Sequence, residues 1–527
     1  MEYPHLVIFV PFILSSIISM NSCKRVNVIL FILDDLRPSL GCYGDDNAYT
    51  PNIDQLAKDS IIFSHSYAQQ ALCAPSRNSF LTSRRPDTLS LYDFYSYWRE
   101  VAGNFTTLPQ FFKDNSYTTM SIGKVFHPGI SSNYSDDQPY SWTFPPFHPK
   151  SEIYKDSKVC ITKDNPFPQS NLVCPVETKL QPDGTLPDIE STYEAIQFLQ
   201  RTRLSGIPFF LAVGFHKPHI PLKYPKHFKK FHPLDKVLLP NQRRKPPGLP
   251  IVAWNPWTDL REREDVKELN ISFPFGVIKD KQARLIIQSY YAAVSYVDDL
   301  IGLILKEIIH LQLDKTTVIG LIGDHGWSLG EHGEWSKYSN FDIATRVPLI
   351  LKIPGLSDRN LKINDYNTVD VPVELVDLFP TLVDATGLQS IRQCGSKSKT
   401  TKLCTEGKSL LPLIMNALNN GTKKEERYFA LSQYPRPGEY PTLKPNSDKP
   451  KLKEIKIMGC SIRTERFRYT EWCGFQNFSI NWRDTKACEL YDHYLDPMEN
   501  LNLSEDKIYF EIRKELSNML RLQWNTY

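Results

Sequence analysis

The feature that most constrains this chain is the run Val26-Asn27-Val28-Ile29-Leu30-Phe31-Ile32-Leu33, almost continuously apolar and ended abruptly by Asp34-Asp35. A strand with one wet face alternates apolar and polar side chains. An unbroken run instead reads as a strand covered on both faces, as in a mostly parallel sheet. Similar runs recur at Phe209–Phe215, Thr317–Ile322 and Val347–Ile353. Between them lie helical patterns, the clearest placing Ile286, Tyr290, Val294, Val297, Ile301, Ile304 and Ile308 on one face at three- and four-residue steps. Strands alternating with helices predict an α/β layer fold with helices on both sides of the sheet.

A chain of 527 residues exceeds one small core, which predicts a large domain and a smaller one. The texture changes late in the sequence. Gln433 to Lys456 is rich in Pro, Lys and Ser and reads as a linker or long surface loop. Beyond it, Ile457–Ile462 and Phe467–Trp472 read as antiparallel strands joined by a short turn, and Glu505–Trp524 has helical spacing. The expected division is a signal segment over 1–22, a catalytic part over 23–432 and an α+β subdomain over 433–527.

Leu6 to Ile18 is nearly all apolar but too short and broken for a membrane span, and it fits a cleaved signal peptide. No later stretch approaches transmembrane length. Six glycosylation sequons, at Asn104, Asn133, Asn270, Asn420, Asn477 and Asn502, agree with entry into the secretory pathway. The ten cysteines then belong to an oxidising compartment. Cys160 with Cys174 and Cys394 with Cys404 each close a short polar loop. Cys473 with Cys488 is a third candidate, and Cys42 and Cys460 are left unpaired. A net charge of +3 is too weak to imply a nucleic acid partner, although an anionic ligand can still meet a local basic cleft.

Chemistry in open α/β sheets gathers at the carboxyl ends of strands. Two such ends carry acids here, Asp34-Asp35 after the first run and Asp324-His325 after the Thr317 run. Adjacent carboxylates repel unless a hard cation sits between them, so the two pairs suggest a divalent metal site. A lone Asp-Asp is more often a helix cap or a solvated loop; two acid pairs at strand ends shift that balance.

Cys73-Ala74-Pro75-Ser76-Arg77, followed by Leu81-Thr82, adds a possible nucleophile. Alone, such a cysteine is more often a buried small residue or half a disulfide. The longer string resembles the type I sulfatases, whose Cys-x-Pro-Ser-Arg cysteine is oxidised to formylglycine. The resemblance runs from about Asn27 to Asp496. It is carried by Gly123-Lys124-Val125-Phe126-His127-Pro128-Gly129, Phe215-His216-Lys217-Pro218-His219, Gly323-Asp324-His325-Gly326-Trp327 and Gly330-Glu331-His332-Gly333-Glu334-Trp335-Ser336-Lys337-Tyr338. Many sulfatases have Asp-Asn where this chain has Asp324-His325, and the histidine looks like the iduronate branch of the family.

The resemblance implies an alkaline-phosphatase-like sulfatase fold. It also implies a Ca²⁺ ion held by Asp34, Asp35, Asp324, His325 and an oxygen of the modified Cys73. In its mechanism one hydroxyl of the hydrated aldehyde attacks sulfur and the second releases sulfate. Arg77 is expected to stabilise the hydrate, Lys124 and Lys337 to neutralise sulfate oxygens, His127 to assist collapse, and His216 to protonate the leaving oxygen. Trp327 is expected either to wall the sugar subsite or to pack as a core aromatic. The implied activity is that of a lysosomal or secreted, monomeric exosulfatase acting on the 2-O-sulfate of terminal iduronate in dermatan and heparan sulfate, matured by the formylglycine-generating enzyme. The alternatives are another sulfatase, a phosphonate or phosphodiester hydrolase of the same superfamily, and an inactive glycosaminoglycan-binding homologue. One departure stands out: the family usually continues Leu-Thr-Gly-Arg, and this chain has Ser83 at the glycine position.

Overall fold

The computed structural model describes residues 25–161, 167–358, 366–395, 397–418, 428–444 and 446–526. The expected signal segment and the sequon at Asn420 lie outside them. The four apolar runs become strands β1 (Asn27–Asp34), β4 (Phe209–Pro218), β5 (Thr317–Gly323) and β6 (Arg346–Lys352). With β2 (Ile61–Tyr67), β3 (Thr118–Gly123), β7 (Asn367–Val369) and β8 (Val373–Glu374) they form one sheet in the order β7-β2-β6-β5-β1-β4-β3, β8 also pairing with β2. β1 is parallel to both neighbours, and only β6 runs antiparallel, against β2 and β5.

Side chains alternate across this sheet into two cores. Ile29, Phe31 and Leu33 face one, and Val28, Leu30 and Ile32 face the other. That double burial explains the unbroken apolar run. Helix α3 (Asp280–His310) covers the first face, with all seven residues of its predicted stripe buried. Helix α2 (Pro187–Arg203) packs beside it, and the short, wholly buried α1 (Cys73–Thr82) lies on the other side.

The later part of the chain forms an antiparallel meander of β9 (Phe429–Arg436), β10 (Ile457–Thr464), β11 (Phe467–Gln476) and β12 (Ser479–Asp492). Helix α4 (Phe510–Thr526) packs on it through Leu516 and Leu520. The expected linker begins too early. Gln433 to Arg436 is strand, because Tyr434 is fully buried and Arg436 donates to the carbonyls of Val252 and Ala253 at 3.0 and 3.1 Å. A division at 432/433 would cut through β9. The meander is tied to the large sheet's side of the molecule by Gln433 N–H on the Gln69 carbonyl (2.8 Å) and Asn340 on the Gly459 carbonyl (3.0 Å).

Disulfides join Cys160 to Cys174 and Cys394 to Cys404. Cys473 and Cys488 are not bonded, nor are Cys42 and Cys460. The β11–β12 register shifts at Cys473, which faces Thr485 while Cys488 faces Glu471, so the third candidate pair is out of step across the ladder. Asn104, Asn133, Asn270 and Asn477 are exposed and Asn502 is half-buried. No helix among the described residues is long and apolar enough to cross a membrane.

Candidate active site

The two acid pairs meet because β1 and β5 are adjacent and parallel. Leu33 stands opposite Gly323, so both chains leave the sheet at the same level. The Asp324 amide then donates to the Leu33 carbonyl at 3.1 Å, and the Asp35 amide donates to Asp324 Oδ1 at 3.0 Å. Gly323 has to be small, since a Cβ there would lie 2.2 Å from the Leu36 carbonyl oxygen. Tyr290 of α3 fixes the turn from beneath by donating to the Asp35 carbonyl at 2.7 Å.

Cys73 opens α1, which points its N-terminus at these acids. Unpaired helix N–H groups and the helix dipole favour negative charge there. Pro75 is tolerated because the first turn needs no amide donor. One turn on, Arg77 bridges the acid pairs, with Nη2 3.1 Å from Asp34 Oδ1 and Nε 2.9 Å from Asp324 Oδ2. All three side chains are completely buried. Cys73 Sγ lies 3.4 Å from His325 Nε2, 3.0 Å from Lys337 Nζ and 4.0 Å from Lys124 Nζ. Lys124 also pairs with Asp34, and Lys337 lies 2.6 Å from Asp35 Oδ1.

Four of these groups, Asp34, Cys73, Asp324 and His325, present ligand atoms within 4.8 Å of one another. Asp35 Oδ2 is buried with no hydrogen-bond partner. Three carboxylates, one of them with an unsatisfied oxygen, and an imidazole form a donor set that suits a hard divalent cation. The electrostatics agree. Burial would raise Asp34, but Lys124, His219 and Arg77 hold it well below the usual carboxylate range. Burial pushes Asp35 up to about 7 against the pull of Lys337. Burial and then Asp34 raise the Cys73 thiol despite the two lysines, so the sulfur is a neutral thiol and a weak nucleophile.

A cleft opens beside this cluster, reaching Asp34, Lys124, His216 and His219. Cys73 sits one layer behind it. His216 Nδ1 is 3.2 Å from Asp188 Oδ1, and its Nε2 is 3.5 Å from Glu152. His127 lies outside the lining residues; its ring packs 4.5 Å from Phe94 and its Nδ1 is buried without a partner. Burial, and Lys124 after it, keep that imidazole well below its ordinary range. Trp327 does not wall the cleft. It is buried in the main core, with the Lys337 ammonium 5.7 Å from its ring, because the Gly326 and Trp327 amides are tied to the Ala344 and Ile343 carbonyls and draw the indole inward.

Two residues escaped the sequence reading. His219 reaches Asp35 Oδ2 at 3.9 Å, and burial holds its imidazole well below the usual range. Its position two residues beyond His216, inside the same string, was the available signal. Asp188, at the start of α2, accepts from the His216 and Lys217 amides at 2.7 and 3.1 Å. Nothing in its local sequence marks it. Ser83 ends α1 in the left-handed region at φ 50°, the conformation a glycine would favour. Its hydroxyl compensates by donating to the Val376 carbonyl (2.7 Å) and accepting from the Gly407 amide (3.1 Å).

Comparison with known proteins fits this geometry. The family model described as Sulfatase matches residues 26–388. The chain is 52% identical over 513 residues to iduronate 2-sulfatase of Homo sapiens and 51% identical to that of Mus musculus, covering 92% of each chain in both pairs. Among solved structures, a phosphonate monoester hydrolase from Silicibacter pomeroyi superposes with a TM-score of 0.70 at 21% identity, covering 95% of this chain and 96% of that one.

Proposed function

Because the chain belongs to the sulfatase family, and is therefore a sulfuric ester hydrolase, we propose that it removes the 2-O-sulfate of terminal iduronate in dermatan and heparan sulfate. The fold is that of the alkaline-phosphatase-like sulfatases, a mixed sheet flanked by helices with a C-terminal antiparallel sheet. The observation that carries the reading is the set of Cys73, Lys124, Lys337 and two acid pairs gathered at one helix N-terminus. Identity of 52% across 92% of the chain supports iduronate 2-sulfate as the substrate.

In this proposal Cys73 is the formylglycine precursor, converted by the formylglycine-generating enzyme. Its neutral, buried thiol would serve poorly as a nucleophile, whereas a hydrated aldehyde supplies one hydroxyl to bind sulfur and a second to release it. Asp34, Asp35, Asp324, His325 and an oxygen of the modified residue would hold Ca²⁺, which supplies positive charge to polarise the sulfate oxygens.

The chain's own residues do the rest. Lys124 and Lys337 flank the nucleophile position and meet the charge of the sulfate group. Arg77 holds the acid pairs in register. His216, oriented by Asp188, presents Nε2 as the proton donor to the leaving sugar oxygen, and His127 is a neutral base for the release step. The signal segment and sequons support a secretory route to the lysosome.

The test is desulfation of a defined 2-sulfated iduronide, with peptide mass spectrometry across Cys73. Turnover that disappears in Cys73→Ala and an aldehyde at that position are expected. Activity retained in the variant, or a preference for phosphate or phosphonate esters, would overturn the proposal.

A further inference from the structure

Four lysines line the cleft: Lys124, Lys155, Lys217 and Lys223. Three are committed within the protein. Lys124 pairs with Asp34. Lys217 Nζ donates to the carbonyls of His219 and Pro221, the latter at 2.8 Å. Lys223 Nζ donates to the carbonyls of Tyr154 and Lys155, both at 2.9 Å. Lys155 differs. It follows the short helical segment Lys150–Tyr154, is half-buried, and its ammonium has no hydrogen-bond or ion-pair partner among the described residues.

An ammonium on the cleft wall that no protein group engages is open to an incoming anion. Burial, and Lys124 after it, depress the Lys155 ammonium, while Glu152, Asp34 and Asp156 oppose them. The cleft acid best placed to satisfy it, Glu152, is turned toward His216 Nε2 at 3.5 Å. Among the described residues the cleft therefore offers Lys155 as a free cation on the lining that Lys124 shares.

We propose that Lys155 is the subsite for the carboxylate of the substrate's uronic acid ring. This rests on the reading of the substrate as a 2-sulfated uronide. In such a sugar the sulfate at C2 and the carboxylate at C5 stand across the pyranose ring from each other. A ring held by its sulfate near Lys124 and Lys337 needs a second cation elsewhere on the wall, and Lys217 and Lys223 are already spent on carbonyls. The free Lys155 thus selects uronides over neutral sulfated sugars of the same shape.

The experiment compares wild type, Lys155→Gln and Lys155→Arg on an aryl 2-sulfated iduronide and on its analogue with the carboxylate reduced to an alcohol. The wild type should show a KM about ten- to a hundredfold higher for the alcohol. Lys155→Gln should raise KM for the uronide by a similar factor, with kcat nearly unchanged, and should no longer distinguish the two sugars. Lys155→Arg should retain most of the discrimination, which separates loss of charge from misfolding. Equal impairment of Lys155→Gln on both sugars, or no discrimination by the wild type, overturns the proposal. Should the wild type leave the iduronide untouched, the substrate reading fails separately. The Lys155 subsite then stands if a different sulfated uronide is hydrolysed with the same carboxylate dependence, and falls if only neutral sulfated sugars are.

Discussion

The amide of Asp35 donates to Oδ1 of Asp324 at 3.0 Å, joining two residues 289 positions apart into one anionic unit. Neither acid pair is a site alone. Adjacent parallel strands bring them to the same level, and Arg77 then grips Asp34 and Asp324 together. Helix α1, which carries Cys73, is fastened to this unit by the same arginine, so acids, cysteine and strand ends form one connected cluster.

Replacing Arg77 with methionine should leave two buried carboxylates without their shared cation. Breaking a buried ion pair from one side costs roughly 3–5 kcal/mol. A loss in that range is expected in urea unfolding carried out with a chelator present, so that ion release does not contribute. A loss below about 1 kcal/mol would show that Lys124 alone neutralises the site.

Asp35 Oδ2 is buried with no hydrogen-bond partner, His219 Nε2 standing 3.9 Å from it, which leaves it available as a metal ligand. Added Ca²⁺ should raise the midpoint of thermal unfolding in a concentration-dependent way, as any ligand selective for the folded state does. Asp35→Asn should abolish most of that shift. An unchanged shift in the variant would move the ion away from the acid cluster.

Ser83 holds a left-handed conformation but gains two hydrogen bonds for its hydroxyl. Ser83→Gly forfeits the same hydrogen bonds as Ser83→Ala but relieves strain of about 1 kcal/mol, so it should be about 1 kcal/mol more stable than Ser83→Ala. Ser83→Ala keeps the strain and leaves the Gly407 amide unpaired, at an expected cost of about 1–3 kcal/mol. The order of the two midpoints in denaturant decides the matter.

How far the sequence disclosed all this depends on the residue. Val28 to Leu33 announced a doubly covered strand because every side chain has an apolar destination. Asp34 and Asp324 stood out because acids recurred at the ends of two such strands, which a helix cap or a solvated loop explains less well than a single occurrence. Trp327 stayed open between cleft and core, since an aromatic next to such a string looks the same in either place, and packing puts it in the core. Asp188 was invisible: its partners, His216 and Lys217, lie on another element, and only the packing of α2 against β4 brings them together. Gln433 to Arg436 misled for a related reason. Polar and proline residues suggested a loop, yet Arg436 is buried by hydrogen bonds to main-chain carbonyls that its sequence neighbours do not supply.

Glu334 gives a pH dependence with a definite sign. Burial pushes its carboxyl up to about 8, above an unfolded value near 4.5, although Oε1 accepts the Asn255 amide at 2.8 Å. Between those values the folded chain holds a proton that the unfolded chain has released. The contribution of Glu334 to stability is therefore complete below about pH 4.5 and is lost as pH rises toward about 8. Glu334→Gln should remove that slope, so the variant loses less stability than wild type between about pH 5 and pH 8. Parallel pH profiles for the two proteins in chemical denaturation would refute it.

Asp188 is argued to act through His216, and kinetics can separate the two. Its carboxylate takes the His216 amide at 2.7 Å and Nδ1 at 3.2 Å, leaving Nε2 turned toward the cleft. His216→Gln removes the proposed proton donor and should lower kcat by about a hundredfold or more on a sugar with a poor leaving group. The loss should shrink on an aryl sulfate, whose phenol leaves without help. Asp188→Asn keeps one acceptor oxygen but no charge, so the imidazole is held less firmly; a kcat loss of about tenfold with little change in KM is expected. Residues that work as a unit are not additive. The double variant should accordingly be no slower than His216→Gln alone. Multiplicative losses in the double variant would mean that Asp188 supports α2 and the cleft wall instead of orienting the histidine.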